Sequence, residues 1–109
     1  MIFTTTNTVD GHRITEYMRI VAGETITGIN AFKDLGAGFR NLVGGRSESY
    51  EQETVKAREQ ALNEMWQRAS ELGADAVVGV AVDYSTVGAQ GALLMVSVTG
   101  TAVKLAPAN

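Results

Sequence analysis

The fold is decided by the stretch Thr54–Tyr84, which reads TVKAREQALNEMWQRASELGADAVVGVAVDY. Its first part carries apolar residues at spacings of three and four, which is typical of one face of an α-helix. Its last part, Ala76–Val82, is a run of valine and alanine with one glycine, which indicates a strand buried on both faces. Gly73 stands between the two parts, where a glycine commonly ends a helix. The stretch therefore predicts a long helix followed at once by a buried strand.

The long helix is predicted to span Ser47–Leu72. Ser49 and Gln52 have the spacing of a capping box at its start. Glu64 and Arg68 lie one turn apart and are expected to form an ion pair on the exposed side. The apolar stripe is rich in alanine, so we expect another element to pack closely against it. The stripe consists of Thr54, Ala57, Ala61, Leu62, Met65, Ala69 and Leu72.

Upstream of this helix, two stretches are predicted to be strands. Ile2–Thr6 is β-branched and aromatic, and Arg13–Ile29 is a longer extended stretch with apolar residues along it. Gly23 and Gly28 interrupt the longer stretch, and each indicates a bulge, a turn or a close approach of another backbone. A short helix is predicted over Asn30–Val43, because its apolar residues return to spacings of three and four.

Downstream of the helix, Leu93–Leu105 is predicted to be the last strand. The polar, glycine-bearing stretch Ser85–Gly91 predicts a hairpin between this strand and the preceding one, Ala74–Tyr84. Alternation along the last strand separates its two faces. One face is predicted to hold Leu94, Val96, Val98, Gly100 and Ala102.

The order of these elements predicts one α+β domain over residues 1–109, in which the long helix packs on one face of a small antiparallel sheet. The composition suits such a core, since 45% of the 109 residues are hydrophobic and 19% are charged. One helix covers one face only, whereas Ala76–Val82 is apolar on both faces. Soluble monomers rarely leave such a face in water, so we expect the chains to self-associate.

The composition excludes several classes of function. The chain has no cysteine, which excludes disulfides, thiolate metal sites and a cysteine nucleophile. A single histidine argues against a histidine-rich metal site or a Ser-His-Asp triad. The net charge of −3 offers no basic surface to nucleic acid or to an acidic membrane. We see neither a signal peptide nor the roughly 20 apolar residues that span a bilayer, so the expected location is the cytoplasm.

The single histidine marks a candidate metal site. His12 lies close in sequence to Asp10 and Glu16, and these three side chains could together ligate a metal ion, the one cofactor that we consider. Their spacing is loose and contains no pair one helical turn apart. The alternative is that His12 is a polar residue in an exposed turn that follows Asp10.

A candidate anion-binding site lies at the corner between the two predicted helices. Gly44, Gly45, Arg46 and Ser47 combine free backbone N–H groups, a guanidinium and a hydroxyl, which can hold a phosphate or a carboxylate. Arg40 could join them from the preceding turn. The segment lacks the spacing of a P-loop, so nucleotide hydrolysis is not indicated. The alternative is a structural corner in which the two glycines turn the chain.

The expected self-association also predicts interface residues. They are Trp66, Val78, Val80 and Met95. Trp66 could instead stack on a ligand at a subunit junction, or it could pack the edge of the helix against its neighbours.

Several blocks of residues follow one another in a specific order over nearly the whole chain. They are Val21–Asn30 (VAGETITGIN), Phe32–Arg40 (FKDLGAGFR), Val43–Ser47 (VGGRS), Tyr50-Glu51, Lys56–Glu59 (KARE), Gly73–Val80 (GADAVVGV), Asp83-Tyr84 and Leu94–Val103 (LMVSVTGTAV). In this order they resemble the YbjQ-like family of small bacterial and archaeal proteins, which carries a heavy-metal-binding label.

The resemblance implies a dodecin-like α+β subunit that assembles as a ring-shaped homopentamer. Together with the missing nucleophile–base set, it predicts a structural or ligand-binding module that is not an enzyme and whose partner is a small molecule or a protein. One alternative is a metal-binding protein, as the family label suggests, with carboxylates, His12 or backbone carbonyls repeated around a symmetry axis. A weaker alternative is an enzyme or module that binds an anion at the corner around Arg46.

Overall fold

The long helix and the strand after it are both present in the computed structural model, which describes residues 1–28, 48–88 and 93–108. The described elements are β1 (Ile2–Phe3), β2 (His12–Gly28), α1 (Glu48–Glu71), β3 (Ala76–Val87) and β4 (Leu93–Pro107). This arrangement confirms the predicted α+β class, with one long helix and strands on both sides of it in the sequence. The short helix predicted over Asn30–Val43 lies outside the described residues.

The four strands form one sheet in the order β1-β3-β4-β2. β4 is the central strand, and it pairs antiparallel with β3 on one side and with β2 on the other. The register between β3 and β4 runs up to Val87 opposite Leu93, which confirms the predicted antiparallel pairing of these two strands. β1 departs from the predicted antiparallel sheet, because it pairs parallel with the start of β3.

α1 covers one face of the sheet and packs mainly against β2 and β4. The alternation predicted for β4 is confirmed, since its helix-facing side chains are buried against the alanine-rich stripe of α1. This core contains Leu94, Val96, Val98 and Ala102 from β4 and Ala57, Ala61, Met65 and Ala69 from α1.

The backbone of α1 lies almost in contact with β2 at Gly23. A Cβ atom placed on Gly23 would lie 2.0 Å from the carbonyl oxygen of Ala61 and 2.9 Å from the backbone nitrogen of Met65. No side chain fits in that space, so the glycine and the alanine stripe are required together. Of the three interpretations given for Gly23, the close approach is confirmed, whereas Gly28 is the last residue of β2.

The helix ends as the sequence predicts. Gly73 has a φ of 77°, a left-handed conformation that favours glycine. The N–H of Ala74 donates to the carbonyl of Ala69 at 3.1 Å, and the N–H of Gly73 donates to the carbonyl of Ser70 at 3.0 Å. This pair of bonds is the Schellman motif, and it satisfies carbonyls that the end of a helix would otherwise leave without partners.

A bulge at Gly79 changes the direction in which the side chains of β3 point. Gly79 has a φ of 62°, and the register with β4 shifts between Val78 and Ala81. Val78 lies on the face away from α1, so strict alternation would place Val80 and Val82 there too. Because the bulge adds one residue, Val80 and Val82 pack on the helix side instead.

The expectation that β3 is buried and apolar on both faces up to Val82 is wrong beyond the bulge. Both faces are buried only over Ala76–Val78. There the face away from α1 is covered by Val9 and Ile14 of the same chain. Beyond the bulge that face carries exposed Ala81 and Asp83 instead.

The N-terminal segment closes the outer edge of β3 as far as the bulge. The N–H of Thr4 donates to the carbonyl of Val77 at 3.0 Å. The N–H groups of Gly79 and Val80 donate to the carbonyls of Thr6 and Thr4, at 2.8 Å and 3.0 Å. The predicted strand Ile2–Thr6 is thus regular only over β1, but its hydrogen bonding to β3 continues to Thr6.

We expect Gly23→Ala to lower the free energy of unfolding by about 3 kcal/mol, the upper part of the range for overpacking. The new Cβ would overlap a backbone oxygen, which cannot rotate away as a side chain can. Urea denaturation measures the difference between the variant and the wild type.

Gly11→Ala is the matched control for this substitution. Gly11 has a φ of 78°, but a Cβ there meets nothing within 4 Å, so its loss of about 1 kcal/mol reflects backbone strain alone. Equal losses in the two variants would contradict the close contact between α1 and β2.

Candidate functional site

The residues predicted as metal ligands lie in the turn before β2 (Asp10) and in the first residues of β2 (His12 and Glu16). The N–H of His12 donates to the carbonyl of Val9 at 3.1 Å, and its Nδ1 lies 3.1 Å from the carbonyl oxygen of Asp10. Asp10, His12 and Glu16 are all exposed. Within residues 1–28, 48–88 and 93–108, no three histidine, aspartate or glutamate side chains are grouped so that they could hold a metal ion. The structure therefore does not bring Asp10, His12 and Glu16 together as one ligand set.

The predicted anion-binding corner lies outside the described residues. It comprises Arg40, Gly44, Gly45, Arg46 and Ser47. The hypothesis of a phosphate or carboxylate site at this corner stays a prediction.

The four residues predicted at an interface do not share one surface. Trp66 is 41% exposed, and its ring centroid lies 5.2 Å from that of Phe3 on β1. Val80 is half-buried on the helix side of the sheet, whereas Met95 is half-buried on the opposite face. Val78 is only 4% exposed, because the chain itself covers it. Trp66 is thus the one member of this set that presents a large exposed surface.

A different set of apolar side chains is exposed on the sheet face away from α1. Tyr17, Ile20 and Ile26 of β2 are 69%, 74% and 59% exposed. In the register they lie opposite Val103, Thr101 and Met95 of β4. We name this set the outer apolar face of β2.

Sequence reasoning missed the outer apolar face because β2 does not alternate regularly. The register with β4 shifts between Ile14 and Glu16 and again between Tyr17 and Arg19. Each shift adds one residue, so Tyr17 and Ile20 lie on the same face although they are three residues apart. A pattern search that allows one-residue bulges would have found them.

Arg68 of α1 reaches across to the outer edge of β2. Its Nη1 donates to the carbonyl of Ala22 at 2.6 Å and lies 3.3 Å from Oε2 of Glu24. Its Nη2 donates to Oε1 of Glu64, which confirms the predicted ion pair between these two residues. The contact with β2 was not predicted, since nothing in the sequence links residues so far apart. Arg68 thereby gives a partner to a carbonyl at the edge of the sheet.

Arg68 also borders an open groove between β2 and the end of α1. The groove has a volume of about 390 Å³. Its walls include Arg19, Ile20, Arg68, Glu71 and Leu72. Charged and apolar groups of both elements meet there, beside the outer apolar face of β2.

At the other edge of the sheet, α1 makes a second contact with a strand, β3. Nη1 of Arg58 donates to the hydroxyl of Tyr84 at 3.3 Å. This hydrogen bond raises the pKa of Arg58 above its usual value, and the nearby Tyr84 and Glu59 act in the same direction. Tyr84 is 45% exposed, so the contact lies at the surface.

The one described helix is not of the length and apolar character that crossing a membrane requires.

Comparison with known proteins finds relatives along the whole chain. The sequence model of a family described as "Putative heavy-metal-binding" matches residues 1–106. A UPF0145 protein of Corynebacterium jeikeium (strain K411) is 63% identical over 103 residues, which cover 94% of this chain and 97% of that protein. A UPF0145 protein of Bifidobacterium longum (strain DJO10A) is 55% identical over 106 residues, which cover 97% and 96% of the two chains.

A solved structure has a similar fold. It is a protein with unknown function that belongs to the DUF74 family, from Pediococcus pentosaceus ATCC 25745. The TM-score is 0.64 at 18% sequence identity, and the match covers 97% of this chain and 98% of that chain. At this identity the similarity shows the fold alone.

We expect Arg68→Ala to lower the free energy of unfolding by about 1 kcal/mol, because a charged donor to the Ala22 carbonyl is lost at a half-exposed position. Arg58→Ala is the matched control, since among residues 1–28, 48–88 and 93–108 the polar partners of Arg58 are a surface hydroxyl and a neighbouring glutamate. Its expected loss is below about 0.5 kcal/mol. Urea denaturation compares the two variants, and a larger loss in Arg58→Ala would contradict the role given to Arg68.

Proposed function

Because the chain belongs to the YbjQ family, we propose that it is a homo-oligomeric structural or ligand-binding module without a catalytic centre of its own. The proposed assembly is a dodecin-like ring of five copies, the number that the resemblance to this family implies. In this proposal each chain contributes an exposed apolar strand to its neighbours.

The observation that carries this proposal is the outer apolar face of β2. Tyr17, Ile20 and Ile26 leave more than half of their surface in contact with water. Soluble monomers rarely expose several large apolar side chains along one strand, whereas interfaces between subunits bury such side chains. A second copy of the chain supplies the simplest cover, because it needs no other gene product.

The chemistry of the histidine also supports a module without catalysis. His12 is the single histidine of the chain, and it is exposed at the first residue of β2. Its Nδ1 faces the backbone carbonyl of Asp10. In a Ser-His-Asp arrangement this nitrogen would face a carboxylate instead.

The donors of one chain do not fit the heavy-metal ion that the family description names. Soft metal ions favour thiolate ligands, and the chain contains no cysteine. The described histidine and carboxylate side chains form no group of three. We therefore assign no role to a metal ion in the proposed module.

We expect native mass spectrometry of the wild type to show one species of five chains. Ile20→Glu should shift this species towards the monomer and weaken assembly at least about tenfold, because a charge would be buried in the interface. The folded chain itself should lose less than about 0.5 kcal/mol, since Ile20 is 74% exposed.

Val55→Glu is the matched control for the assembly experiment. Val55 is 44% exposed on α1, away from the outer apolar face of β2, so its replacement should leave the oligomer intact. A wild-type protein that is monomeric at micromolar concentration would overturn the proposed function.

A thermal melt tests the metal-binding alternative. We expect 0.1 mM Zn²⁺ or Cd²⁺, added to protein first treated with a chelator, to change the Tm by less than about 1 °C. A native-state site at 100 times its Kd would add about 2.7 kcal/mol and raise the Tm by about 10 °C. A rise of that size would contradict a module that holds no metal.

A further inference from the structure

The outer edge of β3 is closed over its first half and open over its second. The last closing bond is the one from the N–H of Val80 to the carbonyl of Thr4. Successive residues of a strand direct their backbone groups to alternate sides, so Val82, Tyr84 and Thr86 also direct theirs to the outer edge. Among the described residues, no strand pairs with this part of β3 on that side.

The outer edge of β2 opens at the same end of the sheet. The carbonyl of Ala22 faces outward, because it accepts its hydrogen bond from Arg68. By the same alternation, Glu24, Ile26 and Gly28 direct their backbone N–H and C=O groups to this edge. β2 is the last strand on its side of the sheet, so no described strand pairs with these groups.

The open part of the β3 edge begins at the level of Ala22 in β2. Thr99 of β4 lies opposite Ala81 on one side and opposite Ala22 on the other. The N-terminal segment closes β3 up to this row of residues, and in the same row Arg68 donates to one outward carbonyl of β2, that of Ala22. Beyond this row the sheet is three strands wide and open on both sides.

The open edges are complementary in direction. β2 and β3 both run antiparallel to β4, so they run parallel to each other. Within one chain β4 lies between them, and they cannot meet. If a second copy is placed beside the first with its strands in the same direction, the open edge of β2 faces the open edge of β3.

The open edges are also complementary in phase. In a parallel pair of strands, the N–H and C=O of one residue bond to two residues of the partner strand. These are the residues just before and just after the one that lies at the same level. Tyr84 and Thr25 lie at one level, since both are opposite Val96. The N–H and C=O of Tyr84 would therefore meet the backbone groups of Glu24 and Ile26 of the next copy, which are the ones that point outward.

We propose that β3 of one copy pairs in parallel with β2 of the next, with Val82–Thr86 against Gly23–Thr27. The occupant of the open β3 edge is a second copy of this chain, because the complementary donors and acceptors lie on its own sheet at the same level. This inference rests on the proposed homo-oligomer and specifies how its subunits join. The contact is head-to-tail, so repeated copies close into a ring when the rotation between them allows it.

Single-cysteine variants test this pairing, and the chain has no cysteine of its own to interfere. Thr27 and Thr86 lie at one level and on one face, since both are opposite Leu94. Within one chain they are about 10 Å apart, two strand spacings, which exceeds the Cα separation that a disulfide spans. In the proposed pairing they lie about 5 Å apart on neighbouring copies.

Thr27→Cys and Thr86→Cys are each oxidised alone and as an equimolar mixture refolded together, then run on a denaturing gel without reductant. We expect each single variant to stay at the monomer position and the mixture to give a dimer band. The double variant Thr27→Cys/Thr86→Cys should lose its monomer band and give a ladder that ends at the subunit number of the ring.

The double variant Thr15→Cys/Thr86→Cys is the control. It should give no ladder, because Thr15 lies near the start of β2, far from the paired segment.

Native mass spectrometry under reducing conditions first establishes that the wild type and the variants are oligomeric. If a variant does not assemble, the pair Thr25→Cys and Tyr84→Cys replaces it, because both lie opposite Val96. An oligomer whose mixture gives no dimer band, or in which one single variant links to itself, would overturn the head-to-tail pairing alone. A monomeric wild type would overturn the proposed function together with it.

Discussion

The contact between Gly23 and the backbone of α1 is the constraint on which the rest of the structure depends. It holds the backbone of α1 at Ala61 and Met65 so close to β2 that no Cβ fits at position 23, and alanines line much of the buried face of the helix. Since α1 lies mainly over β2 and β4, β3 receives less cover and depends on the N-terminal segment instead. The position of one glycine thus decides which edges of the sheet are protected.

The sequence predicted those elements whose signal is periodic and uninterrupted. The helix, its glycine end and the alternation of β4 are confirmed, because each depends on neighbours within a few residues. The side chains exposed by β2 and the change of face in β3 were not predictable in this way, since bulges at Thr15, Met18 and Gly79 break the period of two. The contact of Arg68 with Ala22 joins distant parts of the chain, and no local pattern encodes it.

Proteins protect the edges of their sheets because unpaired backbone groups invite other strands to pair with them. Here the protection differs between the two sides. The N-terminal segment uses backbone hydrogen bonds to close β3, whereas on β2 a single guanidinium caps one carbonyl, that of Ala22. The N-terminal segment stops at the row of Thr99, which is also the row of the carbonyl that Arg68 caps, so the unpaired part of β3 is short and lies level with an unpaired part of β2. Such a sheet favours one specific partner over indiscriminate aggregation.

The parallel pairing of β1 with β3 has a consequence for the order of folding. It joins Ile2 to Ala76, which lie 74 positions apart in the sequence, so it closes a long loop. Contacts between residues so far apart in sequence carry a large entropic cost and form late, whereas the α1–β3 and β3–β4 connections are local. We therefore expect the N-terminal segment to close the outer edge of β3 only after β3 has paired with β4.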